Sequence, residues 1–302
     1  MILLVAFVAA LVRISVPYAL AALGGTMSEK SGVVQIALEG MLLVGAFSAV
    51  VSADATGSAT LGVVGGALAG GLLALVYALV VLWLSTDQIV TGVAINLLAD
   101  GLTRYLLKVR YDSASNSPRI EALSIRPLLH GGELVGALTH PLVLGSVGLC
   151  FLVAFVLRRT VFGLRLRAVG EHPGAARTLG VDPRRVRLAA LVVGGLLAGA
   201  GGAYLAAEQR QFVSGMSSGR GYIALAAMIF GRWRAWPAVA ACLLFGAAEA
   251  LQIRLQTQGG LLPGWAVQML PYVLTLVVLG IAGSQKRARR RGNAPAALGR
   301  PL

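Results

Sequence analysis

Polar and ionisable side chains inside long apolar runs are the residues of this chain that could do chemistry. They are Glu39, Asp54, Asp87, Asn96, Asp100, Glu249, Gln252 and Arg254. Because an ionised group at the centre of a bilayer costs about 3 kcal/mol, such side chains usually face a cavity or a polar partner. They offer hydrogen bonding and charge pairing along a route through apolar surroundings. Asp54, Asp87 and Arg254 lie near the ends of their runs, where the cost is small and a structural role is expected.

Five polar residues form a candidate translocation path for a small polar solute. Glu39 and Glu249 are the deepest carboxylates, and Asn96 lies among apolar neighbours. Gln35 and Tyr222 could add hydrogen bonds and stacking to an aromatic solute. Three alternatives stay open: Glu39 could be paired structurally, Asn96 could bond a neighbouring helix, and Glu249 could pair with the arginine about one helical turn further on.

No sequence pattern typical of catalysis or metal binding is present. The chain has no Gly-x-x-x-x-Gly-Lys-Ser/Thr loop, so it cannot cradle nucleotide phosphates, and any ATP must be used by a partner chain. His130, His140 and His172 are scattered, and Cys150 and Cys242 fall in apolar runs, where a thiol behaves as a small hydrophobe. We therefore expect no catalytic residue, no metal site and no cofactor bound by this chain.

The composition identifies the surroundings as a membrane. Of 302 residues, 57% are hydrophobic and 13% are charged, and the mean hydropathy is +0.79, which means more apolar surface than a soluble fold buries. The net charge of +14 comes from lysines and arginines gathered in connections and in the tail. That distribution favours the lipid bilayer as a partner and argues against nucleic acid.

The chain is predicted to be an all-α, polytopic bundle of about nine transmembrane helices, within a range of roughly eight to ten. The apolar runs lie at 2–23, 33–53, 61–84, 87–107, 141–157, 188–207, 222–230, 235–253 and 265–281. They make one transmembrane domain, residues 1–285, with an external loop at 108–139 and a basic cytoplasmic tail at 286–302. Two glycine pairs, Gly66 with Gly70 and Gly195 with Gly199, have the four-residue spacing that lets helices approach closely in lipid.

A short Arg-rich segment, residues 162–187, interrupts the apolar runs and is too short to be a domain. Glu171 and Pro173 predict the start of a helix of about two turns, and Gly180 predicts its end. The small apolar face of this helix would consist of Ala175, Ala176 and Leu179. A protein outside the membrane could bind the segment, although an ordinary basic cytoplasmic loop is the alternative.

The distribution of arginines predicts the orientation. The segment 162–187 and the basic run Lys286–Arg291 are separated by four apolar runs, so both lie on one face, which is predicted to be cytoplasmic. Five runs precede the first of these clusters. This predicts an external N-terminus and a cytoplasmic C-terminus.

An internal echo predicts interrupted helices arranged as inverted repeats. Residues 32–40 and 219–227 both begin with Gly and then contain Ile-Ala-Leu. With the orientation above, the first segment starts inside and the second outside, as inverted repeats require. A chance match in an Ala-, Leu- and Gly-rich chain is the alternative.

Three stretches carry a family resemblance: SEKSGVVQIALEGMLLVGAF, DQIVTGVAINLLADGLTRYL and GLRLRAVGEHPGAARTLGVDPRRVR. They resemble the permease subunits of ABC importers of the branched-chain amino acid and simple-sugar class. The chain is most similar to the subgroup that takes up nucleosides with a lipoprotein receptor of the basic membrane protein type. The resemblance implies a second homologous permease subunit, a cytoplasmic ABC ATPase, an extracellular binding lipoprotein and a place in the bacterial plasma membrane.

The resemblance also implies that residues 162–187 contain a coupling helix, which seats in a groove of the ATPase. Its residues would be Gly170, Glu171, Pro173, Ala175, Ala176, Leu179 and Gly180. This chain departs from the family pattern at His172 and Gln35, where asparagine is usual, and at Arg177, where an acid is common. These departures leave the fit to the ATPase and the exact solute open.

The sequence therefore predicts a transport subunit and not an enzyme. It would form the path for nucleosides, or for simple sugars or branched-chain amino acids, with ATP hydrolysed in the partner ATPase. The alternative is an ion- or proton-coupled secondary transporter that uses Glu39, Asp100 and Glu249 as proton carriers.

Overall fold

The structure, a computed structural model, describes residues 2–123, 133–257 and 294–300, together with Met269 and Val273. Within these ranges the chain forms α-helices, one 3-10 turn at Glu121–Leu123 and no strand. The helices are α1 (Ile2–Lys30), α2 (Leu38–Thr56), α3 (Ala59–Trp83), α4 (Gln88–Tyr111), α5 (Glu133–Leu138), α6 (Pro141–Arg159), α7 (Val161–Glu171), α8 (Pro173–Thr178), α9 (Pro183–Gln209), α10 (Arg220–Phe230) and α11 (Ala235–Thr257). The predicted all-α fold is confirmed.

Six of the described helices are long and apolar enough to cross a membrane, namely α1, α2, α3, α6, α9 and α11. The helix α10 has 11 residues and is about 17 Å long, which is roughly half of a 30 Å hydrocarbon core. The last predicted run, 265–281, lies outside the described residues. A polytopic helical bundle is therefore confirmed, and the count of nine crossings is not.

The first helix is longer than the sequence predicts. The first predicted run ends at residue 23, just before Gly24 and Gly25, but α1 continues to Lys30. Both glycines are packing positions: a Cβ added at Gly25 would lie 3.0 Å from Leu38, and Gly24 lies against Gly194 of α9. Glycine here allows two helices to approach each other, and this packing outweighs its weak helix propensity.

The two predicted glycine pairs face each other at the centre of the bundle, where α3 crosses α9. A Cβ added at Gly70 would lie 2.5 Å from the carbonyl oxygen of Gly195, and one added at Gly195 would lie 2.6 Å from that of Gly70. A Cβ added at Gly66 would likewise lie 2.5 Å from the carbonyl oxygen of Gly45 in α2. The predicted close packing is confirmed, and it involves three helices.

The helix α9 defines two ends of the bundle. With 27 residues it is about 40 Å long. Arg187, near its start, donates a hydrogen bond from Nε to the carbonyl of Ser31 at 3.1 Å. Beyond its other end, residues 210–214 pair with residues 115–120 of the predicted external loop. We call the end that holds Arg187 and α8 the coupling end.

The last described residues return to the coupling end. The predicted tail began with the basic run Lys286–Arg291, which lies outside the described residues. Residues 294–300 pack against the bundle, and Ala297 is only 3% exposed. This part of the predicted tail 286–302 is therefore not free in solvent.

Replacing Gly70 by alanine should destabilise the protein, because every close neighbour of the added Cβ is backbone and cannot turn aside. We expect a loss of about 1–3 kcal/mol, seen as a fall of roughly 3–10 °C in the melting temperature of the detergent-solubilised protein.

The matched control is Gly101→Ala in α4, where an added Cβ meets nothing within 4 Å. It should leave the melting temperature unchanged or raise it, since alanine is the better helix former. Equal effects of the two substitutions would contradict the packing argument.

Candidate functional site

The chain leaves helical geometry at residues 31–37, between α1 and α2. Gly32 has φ of +95°, in the left-handed region that favours glycine. Side chains satisfy the backbone of this break: Val34 N–H donates to Gln88 Oε1 at 2.7 Å, and the Val34 carbonyl accepts from the Tyr77 hydroxyl at 2.6 Å. Because an unpaired backbone group in a bilayer is costly, these bonds allow a helix break inside the bundle.

Asn96 of α4 binds the rest of this break and also reaches α10. Its Oδ1 accepts from Gly40 N–H at 2.8 Å, and its Nδ2 donates to the Ile36 carbonyl and to the Tyr222 hydroxyl, both at 3.0 Å. Asn96 is 8% exposed, whereas Tyr222 is 46% exposed. Asn96 therefore forms hydrogen bonds between helices, and it orients the ring of Tyr222, which is partly exposed.

Glu39 joins this break to a second one. Its Oε1 accepts from Gly219 N–H at 2.8 Å, and its Oε2 accepts from Gly221 N–H at 2.7 Å. Gly219 has φ of +84° and immediately precedes α10, so the carboxylate lies at the positive end of the α10 dipole. Of the two roles left open for Glu39, the structure shows pairing, with both oxygens held by backbone donors.

The two segments of the internal echo therefore meet at Glu39. Each begins with a glycine in the left-handed region, Gly32 and Gly219, and each leads into a helix. Their relation as inverted repeats stays a prediction.

Glu249 of α11 holds the first residue of α10. Its Oε1 accepts from Arg220 Nη2 at 2.7 Å, and its Oε2 accepts from the Tyr18 hydroxyl. The side chains of Arg220 and Glu249 are only 20% and 17% exposed. The described contacts of Glu249 do not include the suggested partner, Arg254, whose guanidinium lies over the Phe7 ring, 5.5 Å from the centroid. Tertiary packing of α10 on α11 supplies the arginine that spacing along the chain could not identify.

Gln35 lies behind these residues and not among them. It is fully buried, and its Nε2 lies 3.3 Å from Met41 Sδ. Its backbone N–H donates to Glu29 Oε1 at 3.3 Å, while Glu29 Oε2 accepts from the Trp233 indole at 2.6 Å. Gln35 is thus buried in this arrangement, its Oε1 has no partner among the described residues, and its solute contact stays a prediction.

Glu29 is the important residue that sequence reasoning missed. Its neighbours Ser28, Lys30 and Ser31 suggest a polar connection, yet Glu29 is only 3% exposed. The signal in the sequence that could have identified Glu29 is a carboxylate placed directly before the lysine that ends α1.

Five of the residues described above form one cluster around the start of α10, which we call the helix-break site. It consists of Glu39, Asn96, Arg220, Tyr222 and Glu249. Four of the five predicted path residues belong to it, and Arg220 was not predicted. Its acids and amide fix backbone and arginine groups, while the Tyr222 ring is left open for contact.

The other ionisable residues of the spans have local roles. Asp87 is the N-cap of α4 and accepts from two backbone N–H groups at 2.9 Å. Asp100 pairs with Arg104 one turn later at 3.0 Å, and Asp54 pairs with Arg110 at 3.4 Å. The structural role expected for Asp54 and Asp87 agrees with these contacts.

The predicted coupling segment is mostly helical, since α7, α8 and the start of α9 occupy it. Pro173 is the first residue of α8, as predicted, but Glu171 ends α7 and does not begin α8. At the other end Gly180 has φ of +80°, Val181 N–H donates to the Ala176 carbonyl at 3.0 Å, and Gly180 N–H donates to Arg177 at 3.0 Å. These two hydrogen bonds form a Schellman motif, so the predicted helix end at Gly180 is present.

The apolar face expected of α8 is divided between two sides. Ala176 is 3% exposed and packs in the hydrophobic core with Val181. Ala175 is exposed, and Leu179 is 84% exposed. Packing therefore anchors α8 by one residue and leaves a leucine projecting from the coupling end.

Comparison with known proteins identifies the family. A model described as "Branched-chain amino acid transport system / permease component" matches residues 7–279. The guanosine ABC transporter permease protein NupQ of Bacillus subtilis is 36% identical over 94% of this chain and 92% of its own length. The nucleoside ABC transporter permease protein NupC of Lactococcus lactis is 37% identical over 88% and 89%. The putative glucose ABC transporter permease protein TsgC13 of Haloferax volcanii is 36% identical over 79% and 74%.

These matches confirm the family resemblance drawn from the three sequence stretches, and with it a transport component rather than an enzyme. Together with the apolar helices they identify a multi-pass protein of the bacterial plasma membrane. Because a single family model matches residues 7–279 and the relatives match over most of their length, the chain belongs to the family of branched-chain amino acid transport system permease components.

Proposed function

We propose that this chain forms the translocation path for nucleosides in an ATP-driven importer. Two of the relatives described above are named as guanosine and nucleoside permeases. The half-exposed ring of Tyr222, held by Asn96 at 3.0 Å, offers a nucleobase a stacking surface beside polar groups. Simple sugars and branched-chain amino acids are the other solute classes to be tested, since one relative is named as a putative glucose permease.

The observation that carries the ATP-driven part is the exposed leucine at the end of α8. A large apolar side chain that is 84% exposed beside a capped, rigid helix is typical of an interface residue. The occupant would be a cytoplasmic ABC ATPase, which binds and hydrolyses the ATP, while this chain binds no cofactor. The other partners would be a second homologous permease subunit and an extracellular substrate-binding lipoprotein.

A continuous set of contacts would carry a push on α8 to the helix-break site. Gly170, near the end of α7, lies against the carbonyl of Lys30, the last residue of α1. The residue before it, Glu29, holds Trp233 just beyond the end of α10. Across the break at 31–37, Glu39 holds the start of α10. Both ends of α10 are thus tied to residues that flank the break at 31–37, and α7, the helix before α8, lies against the end of α1 at this break.

Movement of α10 would alternate access to the path. An 11-residue helix held at its start by Glu39 and Glu249, and at its end by Glu29 through the Trp233 indole, would tilt as a unit. The coupling end would then be cytoplasmic, with the N-terminus outside and the C-terminus inside, as the arginine distribution predicts.

Leu179→Gln should weaken binding of the ATPase and lower ATP-dependent uptake by about tenfold or more, because a central apolar interface residue contributes about 2 kcal/mol. Copurification of the coexpressed ATPase and initial uptake rates measure the two effects.

Leu84→Gln is the control, since Leu84 is 69% exposed and lies on a different element of the coupling end. It should stay within twofold of the wild type in both assays. A Leu179→Gln variant that binds the ATPase normally would refute the docking role of α8.

Glu39→Gln should reduce transport at least tenfold while the ATPase still copurifies. The amide keeps one acceptor but places an NH2 against a backbone N–H, which removes a charge-assisted bond of about 1.5–3 kcal/mol at the start of α10. Initial uptake rates in membrane vesicles measure the effect.

The same change at Glu208, a residue that is 41% exposed and 3.6 Å from Arg13, should be nearly silent. If both variants transport equally, the link between Glu39 and α10 movement fails.

Uptake of labelled guanosine should require ATP and the binding lipoprotein, and should be competed by unlabelled nucleosides but not by glucose or leucine. Competition by glucose or leucine alone would reassign the solute. Uptake that collapses with an uncoupler at constant ATP would instead favour the proton-coupled alternative.

A further inference from the structure

The last described residues form a compact strap against the coupling end, which we call the C-terminal clasp (residues 294–300). Two internal hydrogen bonds shape it: Leu298 N–H donates to the Pro295 carbonyl at 3.0 Å, and Arg300 N–H donates to the Ala297 carbonyl at 3.1 Å. Two of its own residues, Pro295 and Ala297, are buried. The clasp is thus folded onto the bundle through small side chains.

The clasp binds the end of α7 at two points. Ala297 N–H donates to the Gly170 carbonyl at 2.9 Å, and Ala296 N–H donates to Glu171 Oε2 at 3.3 Å. An added Cβ at Gly170 would collide with the carbonyl of Lys30 but would lie 3.4 Å from Pro295, so the glycine is needed for the approach of α1 and not for that of the clasp. The residues that precede α8 are therefore hydrogen-bonded to the clasp.

The same strap binds the helix break and the start of α9. Gly299 N–H donates to the Gly32 carbonyl at 3.2 Å, and Arg187 Nη1 donates to the Arg300 carbonyl at 3.2 Å. Arg187 is 1% exposed, and its Nε donates to Ser31 at 3.1 Å. A buried guanidinium needs acceptors, and the clasp supplies one of the two carbonyls that Arg187 binds.

The clasp leaves the proposed docking surface open. On the side of α8 its hydrogen bonds are with Gly170 and Glu171, whereas Gly174, Ala175 and Leu179 remain exposed. It therefore supports the coupling segment without competing for the position of the ATPase.

We propose that the C-terminal clasp is a positioning element that ties the coupling segment to the helix break at 31–37, so that motion of α8 moves the path. This inference rests on the proposed function for its transport readout. The clasp adds a direct link between α7 and the break to the two that exist without it, the end of α1 and the bond from Arg187 to Ser31. Without the clasp, more of a push on α8 is absorbed locally.

Two substitutions of the same kind test it in the full-length complex. Ala297→Leu adds bulk at a buried position, and Ala296→Leu adds it at an exposed position one residue away, with the backbone N–H groups unchanged. We expect Ala297→Leu, and deletion of residues 294–302, to lower uptake at least fivefold while the ATPase copurifies as in the wild type. Ala296→Leu should stay within twofold.

A second measurement does not depend on transport. Cysteines placed at the same two positions should differ in labelling by a soluble maleimide in inside-out vesicles, with Ala297→Cys at least tenfold slower than Ala296→Cys until the protein is denatured. Equal labelling would show that the clasp is not docked. Slow labelling with normal uptake in the Ala297→Leu and deletion variants would show a docked strap without a role in coupling, and either result overturns the proposal.

The proposed function would fail differently from the clasp. If the wild type shows no ATP-dependent uptake, the importer role is at fault even when the clasp labels as expected. If Leu179→Gln still binds the ATPase, the docking role of α8 is at fault.

Discussion

Backbone that leaves the helix inside a membrane protein must find its hydrogen-bond partners within the protein, since lipid supplies none. Two stretches of this chain are under that constraint, at 31–37 and just before α10. The side chains that satisfy them come from distant elements, including Gln88 and Asn96 of α4 and Glu39 of α2. Gln88, Asn96 and Glu39 are thereby committed to particular backbone groups.

This commitment explains why the polar groups do not simply line an open channel. A buried donor or acceptor without a partner costs about 1–3 kcal/mol, so removing any one of these side chains leaves a defect in the break. The exposed part of the helix-break site is the ring of Tyr222, whose hydroxyl is already held. Polar groups therefore define the geometry, and an aromatic face is presented beside them.

Glycine residues allow the central helices of the bundle to pack closely. Where α2, α3 and α9 cross, backbone lies on backbone at Gly45, Gly66, Gly70 and Gly195. Apolar side chains gain little from leaving lipid for a helix interface, so close van der Waals contact takes over the role that burial has in soluble cores. The short α10 combines both kinds of contact: directed bonds hold its ends, and Ala224, Ala227 and Met228 are buried against α1 and α11.

The sequence by itself determined the membrane class, the all-α architecture, the family, the glycine pairs and the Gly180 stop, because composition, spacing and helix-end signals are local. It did not determine which groups meet. Arg220 lies 29 residues from Glu249 and Gly219 lies 180 residues from Glu39, so no periodicity links them. The burial of Glu29 and Gln35 and the docking of residues 294–300 likewise depend on how helices pack. A hydrogen bond between distant segments exists only once the tertiary fold has brought its donor and acceptor together.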